Sequence, residues 1–346
     1  MPATVTHNNP VVTVWQAEPV RHVIYGAGAI GATIGGLLQH HGQEVVLIAR
    51  GAHAATMARD GLSLLTPTEH LQLKVVVATQ PSEANLTDDD VVFMAMKSQD
   101  SGAALHALAG TGFNGAVVCA QNGVDNERQA LRHFERVYGM CVQLPGTFLE
   151  PGMVACHGSP ALGSLDVGRY PHGIDDQAET IAAALRSAGF QSRAEANVMA
   201  IKHAKLLGNL ANALDASVDR HAMRSELAKA ARREGKACFQ AAGIACVDQA
   251  TYAERVKDVG IVELDGIAQR GSSSWQSLVK GTGSVETDYL NGEIVLLGRL
   301  YGVPTPVNAV LQRVVTDMAR NHRPANSYRL EELEALVERE RATALA

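Results

Sequence analysis

The chain has 346 residues, enough for one large or two ordinary domains, and 46% of them are hydrophobic against 19% charged, a composition of soluble globular proteins and not of disordered, collagenous or coiled-coil ones. Thirty lysines and arginines against 36 acidic residues leave a net charge of −6, which argues against a phosphate-tracking surface and so against nucleic acid as a partner. Five cysteines (Cys119, Cys141, Cys156, Cys238 and Cys246) contain no C-x-x-C pair, so neither a disulfide framework nor a cysteine zinc site is indicated, and a reducing, cytoplasmic setting fits.

Residues 1–20 read as a loose N-terminal extension with one short strand at 11–15, and they lack the basic start and apolar run of a secretory signal. One long stretch without formal charge, residues 22–43, holds six Gly, two Gln and three His; it suits a closed turn better than lipid, and no membrane span is expected. From Arg21 onward short apolar runs alternate with helical stretches, the pattern of a parallel sheet covered on both faces. Strands are expected at 22–25, 44–49, 90–96 and 115–120, with helices at 29–41, 52–60, 98–109 and 126–134. The apolar runs 62–65 and 73–78 have no helix between them and predict a hairpin, and 136–167 reads as further strands and turns. After about Asn197 alanine- and leucine-rich helices dominate, at 198–215, 220–242 and 284–301. In the tail, Leu330, Leu333, Leu336 and Val337 recur at helical spacing, which predicts a docked helix. The expected fold is α/β. A Rossmann-type doubly wound sheet over 21–196 forms a dinucleotide-binding domain, and an all-helical domain over 197–346 serves substrate and dimer contacts.

The segment from Gly26 to Gly31 is a G-x-G-x-x-G that leaves one strand and opens a helix. Such a motif needs Gly26 for a tight turn, Gly28 where a side chain would block a pyrophosphate, and Gly31 where helix packs on strand; the N–H groups around Ala29 and Ile30 then face the phosphates. The second strand ends at Arg50, with no acid at its tip. A guanidinium suits a 2′-phosphate where an acid would repel it, so NADP(H) is the predicted cofactor with Arg50 as discriminator.

In the helix at 198–215, Lys205, Asn209 and Asn212 stand at i, i+4 and i+7, within roughly 60° on one face. A lysine buried among Leu and Ala has a lowered pKa and can act as a general acid near neutrality; a solvated polar stripe is the other reading of the triplet. Lys202, one turn earlier, is a competing acid. Three consecutive acids at Asp88, Asp89 and Asp90 read as a solvated turn, no His or Cys set has zinc spacing, and no Gly-x-Ser-x-Gly elbow occurs, so no metal is expected.

From about residue 21 to 315 the chain resembles the ketopantoate reductase (2-dehydropantoate 2-reductase) family. The resemblance is carried by Gly26 to Gly31, the strand end Met96-Lys97, Gln121-Asn122-Gly123, the Lys205-Leu206-Leu207-x-Asn209 helix, and Ser274 followed by Glu286-x-Asp288-Tyr289-Leu290-Asn291-Gly292. It implies NADPH-dependent reduction of a small 2-ketoacid, ketopantoate first, in a cleft between the two domains. By position, Lys205 would be the general acid and Glu286 would position its ammonium. Asn209 and Ser274 would contact substrate, Ser274 its carboxylate. Asn122 would lie by the nicotinamide and the substrate, and Lys97 at the cofactor side. Two departures concern substrate recognition. The family's second asparagine, eight residues after the lysine, is Ala213 here with Asn212 one place earlier, and Asp125 stands where a small residue is common. Two other readings therefore stay open, a reductase of the same family with a different 2-ketoacid and a non-catalytic NADP(H) sensor. Abundant apolar helical faces are compatible with a homodimer.

Overall fold

The computed structural model describes residues 20–344; the strand expected at 11–15 lies outside them. In chain order the strands are β1 (His22–Tyr25), β2 (Val45–Ile48), β3 (Leu62–Leu65), β4 (His70–Leu73), β5 (Val76–Ala78), β6 (Val91–Met94), β7 (Ala116–Cys119), β8 (Val137–Gln143), β9 (Gly146–Glu150), β10 (Met153–Cys156), β11 (Gly158–Pro160), β12 (Ser164–Arg169) and β13 (Val259–Ile261). The helices are α1 (Ala29–His40), α2 (Gly51–Asp60), α3 (Ser101–Ala109), α4 (Asn126–Ala130), α5 (Asp176–Ser187), α6 (Val198–Asn209), α7 (Asn212–Ser217), α8 (Glu226–Ala241), α9 (Gln249–Val256), α10 (Ser273–Val279), α11 (Asn291–Tyr301), α12 (Pro306–Arg320) and α13 (Leu330–Ala344).

Seven strands form one sheet in the order β12-β8-β7-β6-β1-β2-β5. All neighbours run parallel except the edge strand β12, which is antiparallel to β8. Val23, Ile24, Val92, Phe93, Val117 and Val118 are fully buried, as near-continuous apolar strands covered on both faces must be. Because β1 pairs with β2 on one side and with β6 on the other, the order of strands reverses at β1, and a crevice opens beyond the carboxyl ends there.

The expected hairpin exists with a different partner. β3 pairs antiparallel with β4 at His70–Leu73, whereas Val76–Ala78 joins the large sheet beside β2. The apolar run divides because its residues serve two cores: Leu71 and Leu73 pack on the α1 side, while Ala78 is buried on the opposite face.

The second half is helical except for β13, which pairs antiparallel with β11 of the first half. Its core contains Leu214, Val307, Leu311 and Leu333, all fully buried. Leu333 and Val337 dock α13 there, as the tail's spacing predicts. The helix expected at 198–215 is broken at Leu210 and Ala211. The Asn291 side chain donates to the Leu210 carbonyl at 3.1 Å, and the Leu214 N–H turns to the Ala211 carbonyl at 3.0 Å. An intruding amide thus takes the acceptor that an unbroken helix would use.

The crossing of α1 over β1 depends on glycine. A Cβ on Gly31 would collide with the Gly26 carbonyl oxygen and stand 2.8 Å from Ile24 Cγ2, whereas a Cβ on Gly28 would meet nothing within 4 Å. Gly31→Ala is therefore expected to destabilise the chain by about 1–3 kcal/mol through overpacking, lowering Tm in a thermal melt followed by circular dichroism, and Gly28→Ala to leave Tm within a degree or so. Equal melting of the two variants would contradict this packing.

Candidate active site

A cleft of about 720 Å³ lies over the carboxyl ends of β1, β2 and β6 and is walled on its other side by α6, α7 and α10. On the sheet side Gly26 makes the turn with φ +99°, and a Cβ there would stand 2.5 Å from the Met96 nitrogen. Gly28 is the N-cap of α1, no side chain caps that end, and its first turn carries no acid. The N-terminus of a twelve-residue helix therefore opens into the cleft with its partial positive charge uncompensated, and Gly28 leaves open the space an anion needs. These residues, with Ala29 and Ile30, fit the pyrophosphate of a dinucleotide. Arg50, the N-cap of α2, is exposed and also lines the cleft.

From the opposite wall the half-buried Lys205 reaches the sheet. Its Nζ donates to Asn122 Oδ1 at 2.9 Å and to the Val142 carbonyl. Burial lowers the lysine from its ordinary value; the like charge of Lys202 adds to the shift and the Glu286 carboxylate opposes it. Glu286 lines the same cleft but is not the ammonium's direct partner. Its Oε1 accepts from the Ser98 N–H at 3.0 Å and from the Ser98 hydroxyl at 3.2 Å. Asn126 Nδ2 donates to the Ser98 hydroxyl at 3.1 Å and to the Asn122 carbonyl at 3.0 Å. One hydrogen-bonded network thus ties Glu286 to the turn that orients Lys205.

Asn209 and Asn212 both line the cleft, the latter in spite of the helix break that precedes α7. Asn212 Nδ2 lies 3.4 Å from the Ser273 hydroxyl, and Ala213 is buried away from the cleft. The structure corrects Ser274. It is buried and absent from the lining, which takes Ser273, Gln276, Ser277 and Lys280 instead. Ser272 caps α10, so positions 273, 276, 277 and 280 share one helical face and Ser274 falls about 100° away. Lys97 lines the cleft and bridges the two halves by donating to Ser277 Oγ at 2.6 Å. Asp125 accepts from Gln129 at 2.7 Å and does not line the cleft.

The competing lysine has another task. Lys202, 4% exposed, pairs with the fully buried Glu127 and donates to the Gln121 carbonyl at 3.1 Å. Ser98, Ser273, Ser277 and the Lys202–Glu127 pair escaped the sequence reading; of these only Ser273 and Ser277 carried a signal, their i, i+4 spacing. Among the described residues no group of three or more His, Cys, Asp or Glu could hold a metal, no helix is long and apolar enough to cross a membrane, and all five cysteines are free.

Two family models match this chain, that for ketopantoate reductase PanE/ApbA over residues 22–172 and that for the C-terminal part of the same proteins over 197–319. The chain belongs to the ketopantoate reductase PanE/ApbA family. A 2-dehydropantoate 2-reductase of Archaeoglobus fulgidus is 29% identical, over 84% of this chain and 95% of that protein. The crystal structure of a PanE/ApbA family ketopantoate reductase from Ralstonia eutropha superposes with a TM-score of 0.73 at 30% identity, covering 88% of this chain and 99% of the other. D-mandelate dehydrogenase, in a ternary structure with NADH and anilino(oxo)acetate, shares the fold at a TM-score of 0.74 and 22% identity, over 88% of this chain and 99% of that one. As a member of this family the chain is an oxidoreductase with a pyridine-nucleotide-binding fold.

Removing one partner of a buried ion pair strands the other charge, at a typical cost of about 3–5 kcal/mol. Lys202→Met is expected to lose stability in that range by urea unfolding, and Lys202→Met with Glu127→Leu to regain most of it. A single variant as stable as wild type would show that the pair does not hold the Gln121 turn.

Proposed function

We propose that this chain reduces a small 2-ketoacid to its 2-hydroxyacid with NADPH, ketopantoate to pantoate being the first reaction to test. The observation that carries the reading is the Lys205 ammonium, lowered by burial and held by Asn122 inside the cleft that the glycine turn opens. Gly26, Gly28, Ala29 and Ile30 would hold a nicotinamide dinucleotide, which would supply the hydride for the carbonyl carbon, while Gly31, expected with them, packs behind the turn against Ile24 and does not line the cleft. Lys205 donates the proton to the ketone oxygen, and its lowered pKa makes that donation easier than from an ordinary lysine. Asn122 orients the ammonium. Glu286, anchored by Ser98, adds negative charge on the same side of the cleft and helps the ammonium regain its proton. Asn209, Asn212 and, in place of the buried Ser274, Ser273 offer neutral donors to the substrate carboxylate. Arg50, exposed at the cleft rim, favours a 2′-phosphate and hence NADP(H) over NAD(H). The two halves meet at residues 196 and 197, which we take as the domain boundary; free cysteines agree with a cytoplasmic setting, and a homodimer through the helical half is the proposed assembly.

Asn212 in place of an amide at Ala213 favours a second reading at one point, a 2-ketoacid other than ketopantoate. Absorbance at 340 nm with NADPH or NADH against ketopantoate and a panel of branched and aromatic 2-ketoacids tests both. Turnover with ketopantoate supports the first reading, preference for another acid supports the second, and dinucleotide binding without turnover across the panel leaves a sensor. Lys205→Ala is expected to lower kcat by about 10²–10⁴ while NADPH still binds. The acid form is the active one, so kcat must fall as pH rises through the Lys205 pKa, below lysine's ordinary 10.5. Near-normal turnover in Lys205→Ala would remove the proposed acid.

A further inference from the structure

The cleft is electropositive in a protein that is negative overall. Arg50, Lys97, Lys205 and Lys280 line it against two carboxylates, Asp100 and Glu286, whereas the whole chain carries −6. Lys205 is held by Asn122 and Val142, and Glu286 by Ser98. Among the described residues Lys97 and Lys280 form no ion pair with any carboxylate. Lys97 donates to a neutral hydroxyl, Ser277 Oγ, and the Lys280 ammonium rests over the Phe148 ring at 5.0 Å, a cation–π contact that leaves its N–H donors unspent. The two residues come from opposite walls and their like charges oppose each other, Lys280 being lowered first by burial and then by Lys97.

Their surroundings say which anion they suit. Phe148 packs edge-on against His53 at 4.9 Å, and His53 Nε2 lies 2.7 Å from the Ala27 carbonyl in the glycine turn. Gly146, two residues before Phe148 on β9, is so close to α1 that a Cβ there would stand 3.3 Å from the Ala29 carbonyl oxygen. Lys280 therefore overlies the strand that crosses the N-terminus of α1. Lys97 follows Met96, whose nitrogen is the close neighbour of Gly26. Both lysines thus line the cleft into which that helix end opens, beside the space that Gly28 leaves free.

We propose that Lys280, with Lys97, forms a clamp for the diphosphate of the dinucleotide, gripping from the helical half the group that α1 receives from the sheet. This inference rests on reading the cleft as a dinucleotide site. It makes Lys280 a binding residue of the second half and gives that half direct contact with cofactor as well as with substrate. A dianion between two like charges removes their mutual repulsion, so the site is poised for phosphate rather than for a neutral sugar or base.

The test is a fluorescence titration of the full chain with NADPH, run on wild type, Lys280→Met, Lys280→Arg and Lys229→Met. Methionine keeps the stem over Phe148 without the charge, and Lys229, an exposed lysine paired with Glu226 on α8, controls for net charge. The expected result is a roughly tenfold higher Kd for Lys280→Met, a Kd within about threefold of wild type for Lys280→Arg, and no change for Lys229→Met. Inorganic pyrophosphate, titrated calorimetrically without nucleotide, should bind wild type and bind Lys280→Met more weakly. A Lys280→Met protein that takes NADPH as wild type does overturns the clamp. So does one that loses affinity for the ketoacid alone in the NADPH-loaded enzyme. Should wild type bind neither NADPH nor NADH, the proposed function falls, and the pyrophosphate comparison still decides the clamp: a weaker Lys280→Met supports it and equal affinities reject it.

Discussion

The buried contact between the Lys202 ammonium and the Glu127 carboxylate joins the two halves at the carboxyl edge of the sheet. An unpaired charge in that position would be costly, so the pair admits one seating of α6 on α4 and the end of β7. With α6 so placed, the next turn of the helix delivers Lys205 to Asn122 and Val142. The same helix thus presents two ammoniums three residues apart in opposite roles. One neutralises a carboxylate in the interior, and the other stands at the cleft with a neutral amide as its partner. Their separation follows from helical geometry, since three residues turn the side chain by about 300°.

Much of the first half was legible because its signals are local. The strand–glycine–helix passage from His22 to Gly31 carries its own physics, and the apolar runs on either side are too regular to be read otherwise. Element ends were legible to within a few residues. What could not be read was set by tertiary partners. The division of 73–78 between two sheets depends on which core each residue meets. The break at Leu210 depends on Asn291, eighty-one positions away. β13 is three residues long and exists through its pairing with β11.

The site divides in the same way. Gly26 and Gly28, Lys205 and Asn209 stand at the cleft because spacing within one element fixed them. Ser274 does not line it, because the first residue of α10 sets the phase of that helix and the polar run Ser272-Ser273-Ser274 gives no clue which serine caps it. Ser98 had no signal at all, since its importance comes from facing Glu286 across 188 positions of sequence. Of the two departures from the family pattern, Asp125 stays off the cleft, bound to Gln129, whereas Asn212 enters it.

β13 is clipped onto β11 by three residue pairs, Gly158 with Ile261, Ser159 with Gly260 and Pro160 with Val259. Together with the covalent link near Asn197 and the Lys202–Glu127 pair, the clasp fastens the helical half to the sheet half at several points, and Arg255 adds ion pairs to Asp166 and Glu195. A joint cross-linked in this way offers no free hinge. The crevice is thereby a preset slot, and its width is fixed by the fold before any ligand arrives.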